Sequence, residues 1–475
     1  MKFETIIGLE VHVQLRTKSK IFCSCSTQFG NEPNTNTCPV CLGLPGTLPV
    51  LNEEALALGI KTGLALECNI AERLKFDRKN YFYPDLPKAY QITQFDMPVA
   101  AGGCIMIMTE EGEKRIGITR AHLEEDAGKS VHDRTPDGTC VDYNRTGTPL
   151  LEIVSEPEMR SPEEAYAYLT NLKAILEYID VSDCNMEEGS LRCDANVSIR
   201  PLGQEEFGTR VEIKNLNSFK MVQRAIAYEV KRQIEATEDE EAIVQQTRLW
   251  NDAKQVTMPM RSKEEAHDYR YFPEPDLVPF TISRERVEAV RAALPELPQE
   301  KKARFIKEYG LSEYDASILV QEQPMAVFFE ASVSAGADAK QAVNWMQGEL
   351  LALMKDSDVT WQTLKVTPVH ISEIITMISK GEISQKIGKT VLADVFISAG
   401  SPQTIVEEKG LKQVSDTGEI KTIAEKIVAN NPQSVADYKS GNVKAISFFV
   451  GQLMKQTKGK ANPQVANQIF SELLK

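Results

Sequence analysis

The chain has 475 residues, with 54 Lys and Arg against 68 Asp and Glu, a formal charge of −14. That balance excludes an extended basic saddle for gripping duplex nucleic acid, because neutralising phosphates takes clustered cations. At roughly 150 residues per domain the length predicts about three domains, and 42% hydrophobic with 26% charged residues is an ordinary soluble composition.

The start, Met1-Lys2-Phe3-Glu4, lacks the basic head and apolar run of a signal peptide. The longest apolar stretch, Ala55 to Leu66, is interrupted by Lys61, so no membrane span is expected and the cytoplasm is the expected compartment. The first strand reads Leu9-Glu10-Val11-His12-Val13-Gln14-Leu15. Period-two alternation puts Glu10, His12 and Gln14 on one face and four aliphatics on the other. Next come Cys23-x-Cys25 and Cys38-x2-Cys41, four of nine cysteines, separated by twelve residues. In a reducing compartment this favours a tetrahedral four-sulfur zinc site that staples a loop without a core of its own. Free buried thiols and redox chemistry are the alternatives.

Residues 75–88 set Arg78, Lys79 and Lys88 among aromatics. A strand from Arg115 to Leu123 ends in Glu124-Glu125-Asp126, and Glu152 interrupts the apolar strand Leu150 to Val154. A carboxylate in such a strand needs a partner or a metal. Converging acids with few sulfurs or imidazoles suit Mg²⁺, and a surface acidic patch is the plainer reading. Gly128-Lys129-Ser130 and Gly388-Lys389-Thr390 are not phosphate loops, since Leu123 and Ile383 stand where the first glycine is required.

Ser161-Pro162-Glu163-Glu164 opens a helix to Ile179 with a capping box. Strands Leu191 to Arg200 and Thr209 to Lys214 repeat the one-sided design, the first with Arg192, Asp194 and Asn196 and the second with Arg210, Glu212 and Lys214 on the polar face. A helix from about Phe219 to Ile234 follows. The order β-α-β-β-α predicts an antiparallel sheet backed by helices on its apolar face, its other face an open cradle. A merely solvated polar face is the competing reading. After Pro295 and Pro298 short helices are predicted, among them Asp338–Met354 and one that starts at Thr367-Pro368 and stops at Gly381. Residues 411–475 hold nine lysines, no arginine and five acids, a net of +4 that leaves −18 for residues 1–410. A helix from about Val443 to Lys455 projects Lys444 and Lys455 from one side, and Lys458 and Lys460 extend the strip. This is either a solvated face or a phosphate-contacting one.

These motifs, with Ile7-Gly8-Leu9-Glu10-Val11-His12, Arg78-Lys79-Asn80-Tyr81-Phe82-Tyr83-Pro84-Asp85, Arg192-Cys193-Asp194-Ala195-Asn196, Glu212-Ile213-Lys214-Asn215 and Asp268-Tyr269-Arg270-Tyr271-Phe272-Pro273, closely resemble the B-subunit family of the aspartyl/glutamyl-tRNA(Asn/Gln) amidotransferases over essentially the whole chain. The resemblance implies an α+β protein: a glutamine synthetase/guanido kinase-like cradle at 1–292, an all-α helical domain at 293–405 and a small all-α tail domain at 406–475. It implies ATP-dependent phosphorylation of the side-chain carboxylate of Glu-tRNA(Gln) or Asp-tRNA(Asn). Amidation follows, by ammonia from an amidase (A) subunit that a small (C) subunit clamps in place, the three forming a heterotrimer. Glu10, His12, Glu125, Glu152 and Asp194 become the expected Mg²⁺ ligands. Glu125 is preferred to Glu124 by resemblance alone, since alternation puts Glu124 on the face of His122. Lys79, Lys88, Arg192 and Arg210 are expected at the transferring phosphoryl group. Tyr81, Tyr83, Lys214 and Asn215 are expected to bind substrate, Lys444, Lys455, Lys458 and Lys460 to hold tRNA, and Cys23, Cys25, Cys38 and Cys41 to hold Zn²⁺. A zinc-stapled adaptor without catalysis is disfavoured by the acid-rich strands, and a ligase for a small free acid by the basic tail.

Overall fold

The computed structural model describes residues 2–131, 138–260, 269–412, 417–439, 445–457, 461 and 463–474. Two compact units follow one another, Met1–Pro298 and Gln299–Lys475.

A nine-stranded sheet organises the first unit. Its strands are β1 (Phe3–Gln14), β2 (Asn69–Ile70), β3 (Ala100–Thr109), β4 (Gly112–Glu125), β5 (Pro149–Ser155), β6 (Leu191–Pro201), β7 (Val211–Lys214), β8 (Gln246–Asn251) and β9 (Val256–Pro259). They lie in the order β9-β8-β7-β6-β1-β5-β4-β3-β2. The first strand of the chain is therefore central, flanked by segments about 140 and 190 residues away in sequence. The sheet is mixed, where a wholly antiparallel one is expected from the strand pattern: β7 and β8 run parallel, with Val211 opposite Gln246 and Lys214 opposite Leu249. A parallel neighbour requires a long crossover, and a twenty-residue helix, Phe219–Glu238, supplies it.

The helices that pack on this sheet form where the apolar residues recur at helical spacing: α1 (Glu53–Ala65), α2 (Pro162–Tyr178) and α3 (Phe219–Glu238). Each begins at a polar cap. Asn52 Oδ1 accepts from Glu54 N at 2.9 Å, Ser161 Oγ from Glu164 N at 3.1 Å, and Ser218 Oγ from Met221 N at 3.1 Å. Such a cap contributes about 1 kcal/mol. Only half of the expected capping box is present on α2, because Glu164 accepts from the backbone N–H of Arg160, one residue before the cap, and from Lys114. The helices cover one face of the sheet. Val11, Val13, Leu151, Ile153, Ala195 and Val197 from the strands bury against Tyr168, Leu172 and Leu176 of α2, Val222 and Ile226 of α3, and Ile60 of α1 in one core. Complete burial of an aliphatic side chain contributes roughly 1.5–3 kcal/mol. That core fixes which way the alternation points, because a one-residue slip in register would exchange the apolar face for the polar one.

The second unit is helical. Thr367 and His370 cap the helix Pro368–Ser379 reciprocally, with Pro368 at its first position. The helix expected over 338–354 is interrupted: Ala339–Asn344 and Leu351–Lys355 are joined by a π-helical turn, Trp345–Leu350. Val343, Met346, Leu350 and Met354 are nonetheless all buried. Towards the end of the chain, Thr417–Ala429, Ala445–Gln456 and Pro463–Leu473 enclose a separate core of Ile420, Ala424, Phe449, Leu453 and Phe470. Lys455 is exposed on the helix Ala445–Gln456, whereas Lys444, Lys458 and Lys460 lie outside the described residues. Among the described residues no helix is long and apolar enough to cross a membrane.

Candidate active site

The polar face of the sheet carries most of the candidate residues, and strand register arranges them in rows. His122 of β4 stands opposite Glu152 of β5, Glu152 opposite His12 of β1, and His12 opposite Arg192 of β6. A second row runs Arg120, Val154, Glu10, Asp194 across the same four strands. Cross-strand neighbours sit about 4.5–5.5 Å apart, so residues far apart in sequence meet as adjacent side chains.

At the centre two acids face two imidazoles. His12 Nε2 lies 3.4 Å from Glu152 Oε2 and 3.6 Å from Glu124 Oε1; His122 Nε2 lies 3.3 Å from the same Glu152 oxygen and 3.7 Å from Glu124 Oε2. Burial pushes the Glu152 carboxyl up, but hydrogen bonds from His12 and His122 outweigh it and hold the group well below the usual carboxylate range. Glu124 is lowered in the same way, burial being overcome by His122 and His12. Burial pulls the His122 imidazole down, yet the two carboxylates carry it up to about 9, and His12 is raised by the same opposition. One donor atom each from His12, Glu124 and Glu152 falls within 4.8 Å of the others. Two oxygens and an imidazole suit a hard divalent cation, which would take over the charge balance that the imidazolium protons provide.

Around this group the face is ionic. Arg192 Nη2 reaches Asp126 Oδ1 at 3.0 Å, and Gln14 donates to the other Asp126 oxygen at 2.8 Å. Lys214 bridges Asp194 at 2.6 Å and Glu212 at 3.0 Å. Glu10 accepts from Asn196 at 2.9 Å, and burial, then the negative charge of Glu152, raises its carboxyl. The Lys79 ammonium sits 4.7 Å from the centre of the Tyr269 ring; burial pulls it down, but Glu124 and the nearby tyrosines leave it above its ordinary value.

Apart from the sheet, Cys23, Cys25, Cys38 and Cys41 bring their four sulfurs within 4.8 Å of one another. A hydrogen bond from the Cys23 thiol draws the Cys41 thiol down to about 4, against burial, and the same contact pushes Cys23 up. The Lys20 ammonium, wholly buried, lies 3.7 Å from Cys41 Sγ and donates to the carbonyl of Asn36 in the loop between the cysteine pairs. Four converging sulfurs beside a buried cation fit a tetrahedral zinc tetrathiolate, whose net negative charge the lysine offsets.

Comparison with known proteins decides the family. Residues 5–288 match a family model described as the GatB/GatE catalytic domain, and residues 327–474 match one described as the GatB domain. The B subunit of the aspartyl/glutamyl-tRNA(Asn/Gln) amidotransferase of Caldanaerobacter subterraneus subsp. tengcongensis is 56% identical over 474 residues, all of both chains. The protein of that name from Brevibacillus brevis is 55% identical over 473 residues, 100% of this chain and 99% of its own. That from Clostridium botulinum is 54% identical over 473 residues, 99% of each. The chain belongs to the amidotransferase B-subunit family.

Within this amidotransferase subunit the expected residues divide. His12 and Glu152 converge, and Glu10 and Asp194 lie in the adjoining row. Glu125, expected among the metal ligands, turns away from them: its carboxylate holds the Lys88 ammonium and the backbone N–H of Ile92. Glu124 takes the place beside His12, as strand alternation requires. Arg78 is bound through two nitrogens to Glu274, at 2.7 and 2.8 Å. Asn215 has a left-handed backbone (φ 65°) and donates to Trp250 O, which gives it a structural role at the end of β7. Tyr81 packs edge-on against Tyr269. Tyr83 and Arg210 are exposed, and Arg210 joins Glu10, Val154, Asn196 and Phe207 around a cavity on the polar face. Sequence reasoning passed over His122, Arg120 and Asp126 as site residues. The first two were legible, since period two along β4 carries Arg120, His122 and Glu124 to one face.

A pH dependence follows from the central group. His122 binds its second proton more tightly folded than unfolded, so its stabilisation is full below about pH 6.5, the unfolded value, and is lost as pH rises through about 9. In chelator, the melting temperature of the wild type should fall over that interval more steeply than that of His122→Asn. Parallel profiles would contradict the arrangement.

Proposed function

We propose that this chain performs the ATP-dependent step of tRNA-dependent amidation. The side-chain carboxylate of Glu on tRNA(Gln), or of Asp on tRNA(Asn), attacks the terminal phosphorus of ATP. The phosphorus to ADP oxygen bond breaks, and an acyl phosphate forms. Ammonia then attacks the acyl carbon, loses a proton and expels phosphate, leaving the amide. The observation that carries this reading is the convergence of His12, Glu124 and Glu152 on a polar sheet face that also bears Arg192 and Lys214.

The named relatives support it. They are subunits of aspartyl/glutamyl-tRNA(Asn/Gln) amidotransferases, so we assign this chain the same reaction, a carbon–nitrogen ligation. Its partners are then an amidase (A) subunit and a small (C) subunit, and the cytoplasm is its setting. Its fold is read as a glutamine synthetase/guanido kinase-like cradle over 1–292, a helical domain over 293–405 and a tail over 406–475.

His12, Glu124 and Glu152 would hold Mg²⁺, with Glu10 and Asp194 in the adjoining row of the same face. A divalent cation there supplies charge neutralisation at the phosphoryl oxygens. The chain's own residues do the rest. Lys214 and Arg192, each fixed by an acid, present positive charge without needing to reorganise. The cavity beside Glu10, walled by Ile6, Val154, Pro157 and Phe207, is apolar enough for the nucleotide base. Lys79, held over Tyr269, and Tyr81 flank the acids on the side where the aminoacyl end would enter. Lys88 is spent on Glu125, and that pair borders a separate cavity next to Cys41. Zn²⁺ on the four cysteines staples the loop, and Lys444, Lys455, Lys458 and Lys460 contact tRNA phosphates and position it without reading bases. Metal analysis of the purified chain tests the zinc reading directly, and protein free of zinc would reject it.

The reaction is tested by supplying the assembled enzyme with ATP, Mg²⁺, glutamine and Glu-tRNA(Gln). Gln-tRNA should form in the wild type. Glu152→Gln should lower the rate by on the order of 10²-fold with tRNA affinity retained. Equal turnover in that variant would remove the sheet face as the site of chemistry.

A further inference from the structure

Most cations on the polar face are already engaged. Arg192 is paired with Asp126, Lys214 with Asp194 and Glu212, and Lys79 with an aromatic ring, while Arg210 is open to solvent. Arg120 has none of these partners, although a buried Nε without a hydrogen bond is a feature it shares with Arg192. It is half-buried, its Nε is shut off from water without a hydrogen-bond partner, and among the described residues it forms no ion pair. An N–H group removed from water and left unpaired is costly, and most such groups in folded chains find a partner.

Its position says what the partner would be. Arg120 stands opposite Val154, and Val154 opposite Glu10. Val154 and Glu10 both line the cavity that also contains Phe207 and Arg210. Along β4, Arg120 is two residues from His122, roughly 7 Å at strand rise, and on the same face. Arg120 is therefore one strand across from Val154 of the cavity wall and two residues along β4 from His122, which borders the His12, Glu124 and Glu152 group. An anionic chain that joins a base in the cavity to a cation at that group crosses the row of Glu10 and Val154, in which Arg120 is the basic residue. The planar fork of a guanidinium matches a phosphate through two parallel N–H bonds, which an ammonium does not reproduce.

We propose that Arg120 is a nucleotide-phosphate ligand of the cradle, its guanidinium donating to phosphate oxygens of ATP between the Val154 wall and the His12, Glu124 and Glu152 group. The assignment rests on the reading of this face as the ATP site and adds a residue with a defined role. Arg120 recognises the phosphate chain, and the cavity recognises the base and sugar.

Binding of ATP and of adenosine to the full chain, with Mg²⁺ present, separates these two roles. Arg120→Gln should weaken ATP at least tenfold and leave adenosine unchanged. Arg120→Lys, which keeps the charge without the fork, should fall between the two, and both variants should melt where the wild type does. In the assembled enzyme the loss should appear mainly in the KM for ATP. Undiminished ATP affinity in Arg120→Gln would overturn the proposal while leaving the ATP site in place. Equal losses for ATP and adenosine would also overturn it, by reducing Arg120 to a structural role. Failure of the wild type to bind ATP at all would reject the reading of the face itself.

Discussion

Two carboxylates held close together on adjacent strands, Glu124 buried and Glu152 half-buried, are the constraint on which this architecture turns. Like charges at this separation in a region poor in water repel strongly unless positive charge lies between or beside them. In the chain as it stands His12 and His122 provide it, one from each side. The central sheet and the helices packed on it keep these four groups in that arrangement. Register between β4, β5 and β1 brings them together, and the aliphatic residues alternating with them are clamped beneath α1, α2 and α3. The stability of the core and the geometry of the site are thus one structural property. The pleat that buries Val11 and Val13 is the one that raises His12 from the opposite face.

A polar face built this way is preorganised, since strands joined by continuous hydrogen-bonded ladders deform little and the charges on them are held in place by one another. Lys214 and Arg192 illustrate this, each held by an acid whose own position is set by a strand or its immediate end. The four-cysteine loop extends the same logic to a segment that lacks an apolar core. It is tied down by Lys20 and by Asn34 and Asn144, which bond across to the backbone on either side. Gly147, just beyond Asn144, donates its N–H to Asp126 O, so the staple is linked by hydrogen bonds to the acid that fixes Arg192.

Much of this was legible in the sequence because period-two patterns are local. The alternation of Glu10, His12 and Gln14, and of Arg192, Asp194 and Asn196, stands in the sheet as it stands in the chain. Glu152 was conspicuous as a lone acid in an apolar strand, and it proved to lie at the centre of the acidic group. What stayed hidden was set by partners distant in sequence. Nothing local in Val211–Lys214 says that its outer neighbour arrives parallel after a long helix. The π-helical turn at Trp345–Leu350 leaves the buried stripe unchanged and so has no signature in apolar spacing. The preference for Glu125 came from resemblance against alternation, and alternation describes the geometry better. Net charge was the coarsest guide: −14 averages over an acidic body and a lysine-rich tail.

A divalent cation at the centre of the polar face would be held by His12, Glu124 and Glu152. Titration with Mn²⁺ as a spectroscopic stand-in for Mg²⁺, followed by electron paramagnetic resonance with ATP present, measures this directly. One tight ion per chain is expected in the wild type and in Glu125→Gln, and its loss in Glu124→Gln. Retention of the ion in Glu124→Gln with its loss in Glu125→Gln would contradict the account.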